Sequence, residues 1–105
     1  MNILVEIGKN KNLTEFQKAV YKVVLDIPKG EIRTYKWVAI KIGKPLASRA
    51  VGNALNKNPY INRVPCHRVV RSDGSIGGYA KGTHKKKILL KREFVDIIPF
   101  QLIKR

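Results

Sequence analysis

Phe16, Ala19, Val20, Val23, Val24 and Ile27 recur three or four residues apart, and this spacing commits the segment to a helix with one buried face. Immediately ahead, Thr14-Glu15-Phe16-Gln17 has the form of a capping box, in which the Thr hydroxyl and the Gln side chain satisfy amides otherwise orphaned at a helix start. Asp26 to Pro28 ends this helix, and Pro28-Lys29-Gly30 turns the chain. A chain of 105 residues has room for one hydrophobic core of useful size. The remaining elements must therefore pack on this helix, and a single domain over residues 1–105 is expected.

Ile32 to Thr34 reads as a short extended connection. Thr34 is the predicted N-cap of a second helix, Tyr35 to about Ile42, with Val38 and Ile42 on one face and Gly43 as its stop. Pro45 is expected in the first turn of a third helix, where proline is tolerated. That helix runs through Ala47, Arg49, Ala50, Val51, Ala54 and Leu55 until Asn56 to Pro59. Two short helices joined by a glycine-containing turn form a helix-turn-helix candidate. Ala47, Ser48, Ala50, Gly52 and Ala54 leave the third helix small-sided, which suits close packing on another helix or close approach to a partner.

Pro59 to Pro65 is a loop bracketed by prolines. Val69-Val70-Arg71 and Ser75-Ile76 flank Asp73-Gly74, a two-residue hairpin signal. A last helix is expected from about Thr83 to Arg92, with Ile88, Leu89 and Leu90 as its apolar part. The apolar tail, Phe94 to Arg105, is expected to be ordered and to pair with Ile3 to Ile7 as an edge strand. The fold class expected is mainly α: a winged-helix-like helix-turn-helix domain with a short β-hairpin and no separate N-terminal domain.

Lys and Arg number 22 against 7 Asp and Glu, a formal charge of +15. With 44% hydrophobic residues this is a packed domain with a basic surface rather than a disordered chain. The distribution matters more than the total. Between Ile32 and Glu93 the one acidic residue is Asp73, while Arg33, Lys36, Lys41, Lys44, Arg49, Lys57, Arg63, Arg68, Arg71, Lys81, Lys85, Lys86, Lys87, Lys91 and Arg92 all fall inside. The Lys85-Lys86-Lys87 run alone would suit a solvated surface; a whole segment almost without acid favours nucleic-acid contact. No apolar stretch approaches the roughly 20 residues that span a bilayer, so no membrane partner is expected. The N-terminus lacks the pattern of a secretory signal. A single cysteine, Cys66, excludes an internal disulfide, and with two histidines the chain falls short of an ordinary zinc site. Neither metal nor cofactor is expected.

Cys66 is the one obvious nucleophile. It follows Pro65, precedes His67 and Arg68, and lies in the acid-poor span. A thiol becomes reactive when positive charge or a histidine base raises its thiolate fraction. Taken alone, the pair is better read as a small buried hydrophobe beside a structural histidine.

Pro65-Cys66-His67-Arg68-Val69-Val70, preceded by Arg49-Ala50-Val51-Gly52-Asn53-Ala54-Leu55 and Asn58-Pro59, closely resembles the active-site domain of the O6-alkylguanine-DNA alkyltransferases. Thr14 to Gln17, Gly30-Glu31, Thr34-Tyr35, and Leu89-Leu90 followed by Glu93 are similar too, so that the resemblance covers about Thr14 to Glu93. It implies direct reversal of DNA damage: an O6-alkylguanine, with O4-alkylthymine as the secondary lesion, is flipped from duplex DNA and its alkyl group passes irreversibly to Cys66. A monomer acting once is implied, cytoplasmic and nucleoid-associated in a prokaryote or nuclear in a eukaryote. A non-reactive lesion-binding relative is the alternative, and such relatives typically lack the cysteine present here. A winged-helix transcription factor would explain the charge but not Pro65 to Val70 together with Glu93.

Residue by residue, the resemblance makes Cys66 the alkyl acceptor and His67 the base acting through a water, with Glu93 orienting His67. Asn58 holds the active-site turn, and Tyr35 contacts the phosphate and guanine. Arg49 is the finger that fills the vacated stack, and Ala47, Ser48, Ala50, Asn53 and Arg68 join it at the DNA. Val69, Tyr79 and Ala80 line the base pocket. Ala80-Lys81 departs from the small polar and glycine residues often found there, and the tail 94–105 has no counterpart in these motifs. Family members usually carry a further N-terminal domain, whose loss the tail is expected to compensate by covering core surface.

Overall fold

A computed structural model of the chain describes residues 2–60, 63–73 and 82–93. In chain order these form α1 (Ile3–Lys9), α2 (Glu15–Leu25), β1 (Arg33–Thr34), α3 (Tyr35–Lys41), α4 (Ser48–Asn56), a 3₁₀ turn (Cys66–Arg68), β2 (Val69–Val70) and α5 (Thr83–Glu93). The mainly helical class and the helix-turn-helix are as the sequence predicts.

The capping box at the head of α2 is complete: Gln17 N donates to Thr14 Oγ1 at 3.0 Å and Thr14 N to Gln17 Oε1 at 2.9 Å. Behind it, Val20, Tyr21 and Val24 are wholly buried, and α2 becomes the axis on which α1, α3 and α4 pack. Tyr21, absent from the apolar pattern, belongs to this core because its hydroxyl has a partner, the Ala54 carbonyl of α4 at 2.6 Å. Burial pushes its pKa up to about 12.

Thr34 caps α3 by accepting from Trp37 N at 3.0 Å. At the other end Gly43 takes φ +78°, the left-handed conformation that a side chain disfavours. Its amide bonds the Ile40 carbonyl at 3.0 Å and that of Lys44 the Ala39 carbonyl at 2.9 Å, a Schellman closure that stops the helix and turns the chain towards α4. Val38 and Ala39 of α3 meet Val51, Ala54 and Leu55 of α4 in the core. Small residues on both helices allow this close packing.

Two expectations change, and one strand pairing is added. Ile3 to Ile7 is no edge strand: Asn2 caps a helix there, its Oδ1 accepting from Leu4 N at 2.8 Å, and Ile7 enters the core against α2. The apolar tail expected to pair with this segment lies outside the described residues. Pro45 is not in the first turn of α4; it sits in a separate turn closed by Ala47 N to Lys44 O at 2.9 Å, and the helix begins at Ser48. Finally, the described partner of β2 is β1, in parallel, with Arg33 opposite Val69 and Thr34 opposite Val70. The expected return strand of the hairpin, Ser75-Ile76, falls outside the described residues. The parallel pair brings the segment before the helix-turn-helix beside the segment after Cys66.

Candidate active site

Cys66 opens the 3₁₀ turn and is 3% exposed. Its amide bonds back to the Val64 carbonyl at 2.8 Å, and Arg68 N bonds Pro65 O at 3.0 Å, so both sides of the cysteine are folded tightly. Asn58 braces this loop from inside, donating Nδ2 to Val64 O at 3.3 Å and accepting from Tyr60 N at 2.8 Å. Burial pushes the Cys66 thiol up; a hydrogen bond with Asn58 and the charge of Lys86 act in the opposite direction. A thiol in this environment needs a base.

A histidine, whose imidazole can accept a proton, is adjacent. His67 is 8% exposed, and its Nε2 lies 2.9 Å from Glu93 Oε2, at the end of α5. Burial lowers the His67 pKa, while the Glu93 hydrogen bond and charge pull it back up. Burial alone would raise the Glu93 carboxyl, but hydrogen bonds from Arg68 and His67 prevail and hold it below the usual carboxylate value. The result is a buried imidazole held by an ionised carboxylate, directly after the cysteine in the chain.

Arg68, expected at the DNA, is engaged inside the protein instead. Its Nε and Nη2 donate to the two Glu93 oxygens, each at 2.9 Å, and its Nη1 to the Ile27 carbonyl at 2.9 Å. All three contacts are available only to a guanidinium fork lying flat against the α2 C-terminus and α5. Arg68 thus ties the reactive turn to both helices.

Val69 also departs from expectation: its side chain is wholly buried in the core, and what it offers the site is its carbonyl. Lys86 Nζ donates to that carbonyl at 2.6 Å and to the Tyr35 hydroxyl at 3.3 Å. Lys86 is completely buried, and desolvation depresses its pKa to about 8. Read within Lys85-Lys86-Lys87, it passes for part of a solvated run. The spacing Lys86, Leu90, Glu93 places it on the inward face of α5, the one signal in the sequence that could have found it.

Tyr35 connects this interior to the surface. Burial raises its pKa, and a Cys66 thiolate would raise it further. Its outer side helps line a cleft of about 430 Å³ with Ser48, Arg49, Gly52, Asn53, Asn56, Arg71 and Ser72. Ser48, Arg49 and Asn53 are therefore where a helix-turn-helix partner would meet them. Ala50 is exposed on α4, whereas Ala47 packs partly against the core. Tyr79 and Ala80 lie outside the described residues. Among the described residues no cluster of His, Cys, Asp and Glu could hold a metal ion, and no helix is long and apolar enough to cross a membrane.

Fold and site together define a helix-turn-helix domain built around a buried cysteine and histidine and a nearly buried glutamate. Residues 15–95 match the family model "6-O-methylguanine DNA methyltransferase, DNA binding domain", and the chain belongs to that family. A methylated-DNA–protein-cysteine methyltransferase of Methanosarcina barkeri is 56% identical over 80 residues, which is 76% of this chain and 51% of the relative. The chain spans about half the length of the curated relatives it matches. Among solved structures, Mycobacterium tuberculosis OGT in complex with DNA superposes with a TM-score of 0.77 at 41% identity, covering 89% of this chain and 58% of that one. Schizosaccharomyces pombe Atl1, in complex with damaged DNA containing O6-carboxymethylguanine, gives a TM-score of 0.70 at 35% identity, covering 77% of each chain.

Proposed function

We propose that this domain repairs O6-alkylguanine in duplex DNA by moving the alkyl group to Cys66. The observation that carries the reading is the contact between His67 and Glu93 beside the cysteine, on the same domain as a cationic helix-turn-helix cleft. His67 takes the Cys66 proton through a water, and Glu93 stabilises the imidazolium that results. The thiolate then attacks the alkyl carbon in line; the S–C bond forms as the C–O6 bond breaks. The departing guanine carries the negative charge and regains a proton from the Tyr35 hydroxyl, which lines the cleft and accepts a hydrogen bond from Lys86. The thioether is stable, so each molecule acts once.

The target atom is inside the base stack, and extrusion costs a few kcal/mol. Arg49, exposed at the start of α4, fills the gap in this reading. Lys and Arg contacts to phosphate would supply most of the affinity with little sequence information, as suits a protein that searches for lesions.

The test is incubation with a duplex containing O6-methylguanine, followed by mass spectrometry of the Cys66 peptide. A methyl adduct is expected on Cys66, and Cys66→Ala should bind the duplex without reacting. Binding without an adduct in the native protein would replace this reading with that of a non-reactive lesion binder.

A further inference from the structure

The arginine that the sequence motif offers to DNA, Arg68, is spent on Glu93 and Ile27. Three residues later the chain leaves the buried strand β2, and Arg71 emerges exposed on the cleft that Tyr35, Ser72, Ser48 and Arg49 also line. None of the described residues lining this cleft is acidic. Arg71 and Arg49 enter it from separate elements, the end of β2 and the start of α4. The Arg71 charge is close enough to the interior to be felt at both Tyr35 and Lys86. A guanidinium facing such a cleft, beside a serine hydroxyl, is a site for an anionic oxygen group, and its planar fork matches two oxygens of one phosphate.

We propose that Arg71 holds a phosphate flanking the extruded nucleotide, and so fixes the base in the cleft while Arg49 occupies the stack. The inference rests on reading this cleft as the entrance for a flipped nucleotide. A nucleotide rotated out of the duplex swings about its two flanking phosphates, which makes them the anions that necessarily reach the cleft rim. Arg71 is a binding residue for the lesion's backbone, distinct from the general basic surface because its contact forms only when the base is out. Its removal should therefore slow alkyl transfer more than it weakens binding to undamaged duplex.

The experiment measures single-turnover transfer to Cys66 from duplexes in which each phosphate beside the O6-methylguanine is replaced, one at a time, by an uncharged methylphosphonate. For the native protein, one of the two replacements should slow transfer about 10-fold, the worth of one charge-assisted contact. In Arg71→Ala the normal duplex should already be slower by a similar factor, and that replacement should cost little more. The salt dependence of lesion binding should also lose about one phosphate contact. Full loss on top of the Arg71→Ala defect would overturn the assignment, as would an Arg71→Ala rate equal to the native one. A loss confined to O6-carboxymethylguanine duplexes would place the held charge on the substituent and equally overturn it. Absence of any Cys66 adduct in the native protein would instead refute the transfer reading itself, which separates the two failures.

Discussion

Arg68 and Glu93 are joined by two parallel hydrogen bonds, each 2.9 Å long, at side chains only 15% and 10% exposed. The pair does two things at once. It anchors the end of α5 to the reactive turn, and it keeps Glu93 ionised so that the carboxylate can face His67. Breaking such a nearly buried pair leaves an uncompensated charge, and Glu93→Gln should lower folding stability by about 2–4 kcal/mol. Because the folded pKa of Glu93 is depressed, its stabilising contribution is fully present above the usual carboxylate value and is lost as pH falls through the lower folded one. Urea unfolding between pH 3 and pH 7 should show this acid loss in the native protein and a smaller one in Glu93→Gln.

On the proposed mechanism, the contact of Glu93 with His67 sets the pH dependence of transfer. Burial lowers the His67 pKa below its ordinary 6.5, so the imidazole stays neutral, and able to accept a proton, to more acidic pH than a free histidine. The midpoint of the acid limb of the single-turnover rate should therefore lie below 6.5. Glu93→Gln removes the group that pulls the His67 pKa up, so its acid limb should move lower still while the plateau drops about 100-fold, a typical worth for general-base assistance. An acid-limb midpoint at or above pH 6.5 in the native protein would contradict the role given to His67.

Lys86 offers a test on the alkaline side. Its folded pKa of about 8 lies below the usual 10.5, so between these values the unfolded chain binds more protons than the folded one and stability rises with pH. The difference corresponds to about 3 kcal/mol, an upper figure for a buried group that retains hydrogen bonds. Comparing native protein with Lys86→Met isolates this effect, because the tyrosines titrate in both. Chemical unfolding at pH 7.5, 9 and 10 should show stability rising in the native protein relative to the variant, and the variant should transfer alkyl groups more slowly because the Tyr35 hydroxyl loses its tether.

How much of this could be read from the sequence depends on the range of the interaction. Thr14 with Gln17, and Thr34 with Gly43, act within one helical turn, so their side-chain chemistry alone places both helix starts and one stop. Pro45 misled because proline suits both a helix's first turn and a free turn, and only the Lys44 to Ala47 closure distinguishes them. The α1 helix was hidden because Ile3, Leu4, Val5 and Ile7 suit a strand as well as a helix, and the decision falls to Ile7 docking on α2. At the site, Cys66 and His67 stand out by adjacency. Glu93 follows only from family resemblance, since 26 residues separate it from His67. Lys86 and the inward turn of Arg68 are tertiary facts: a lysine or arginine reads as surface until an acceptor such as the Val69 or Ile27 carbonyl is brought within reach.

Arg49 presents the sharpest contrast between binding and extrusion. It is exposed at the start of α4, with Ser48 and Asn53 on the same cleft. A residue that only held phosphate would, when removed, weaken binding to damaged and undamaged duplexes alike and leave the transfer step of bound protein intact. A residue that occupies the gap left by the base should act on the bound state, because without it the empty stack favours return of the base. Arg49→Ala should therefore lower the transfer rate at saturating duplex by about 10- to 100-fold, equivalent to part of the few kcal/mol that extrusion costs. On a single-stranded oligonucleotide, where little stacking is lost, the same substitution should cost far less. Equal losses on the two substrates would assign Arg49 to phosphate binding alone and remove it from the extrusion step.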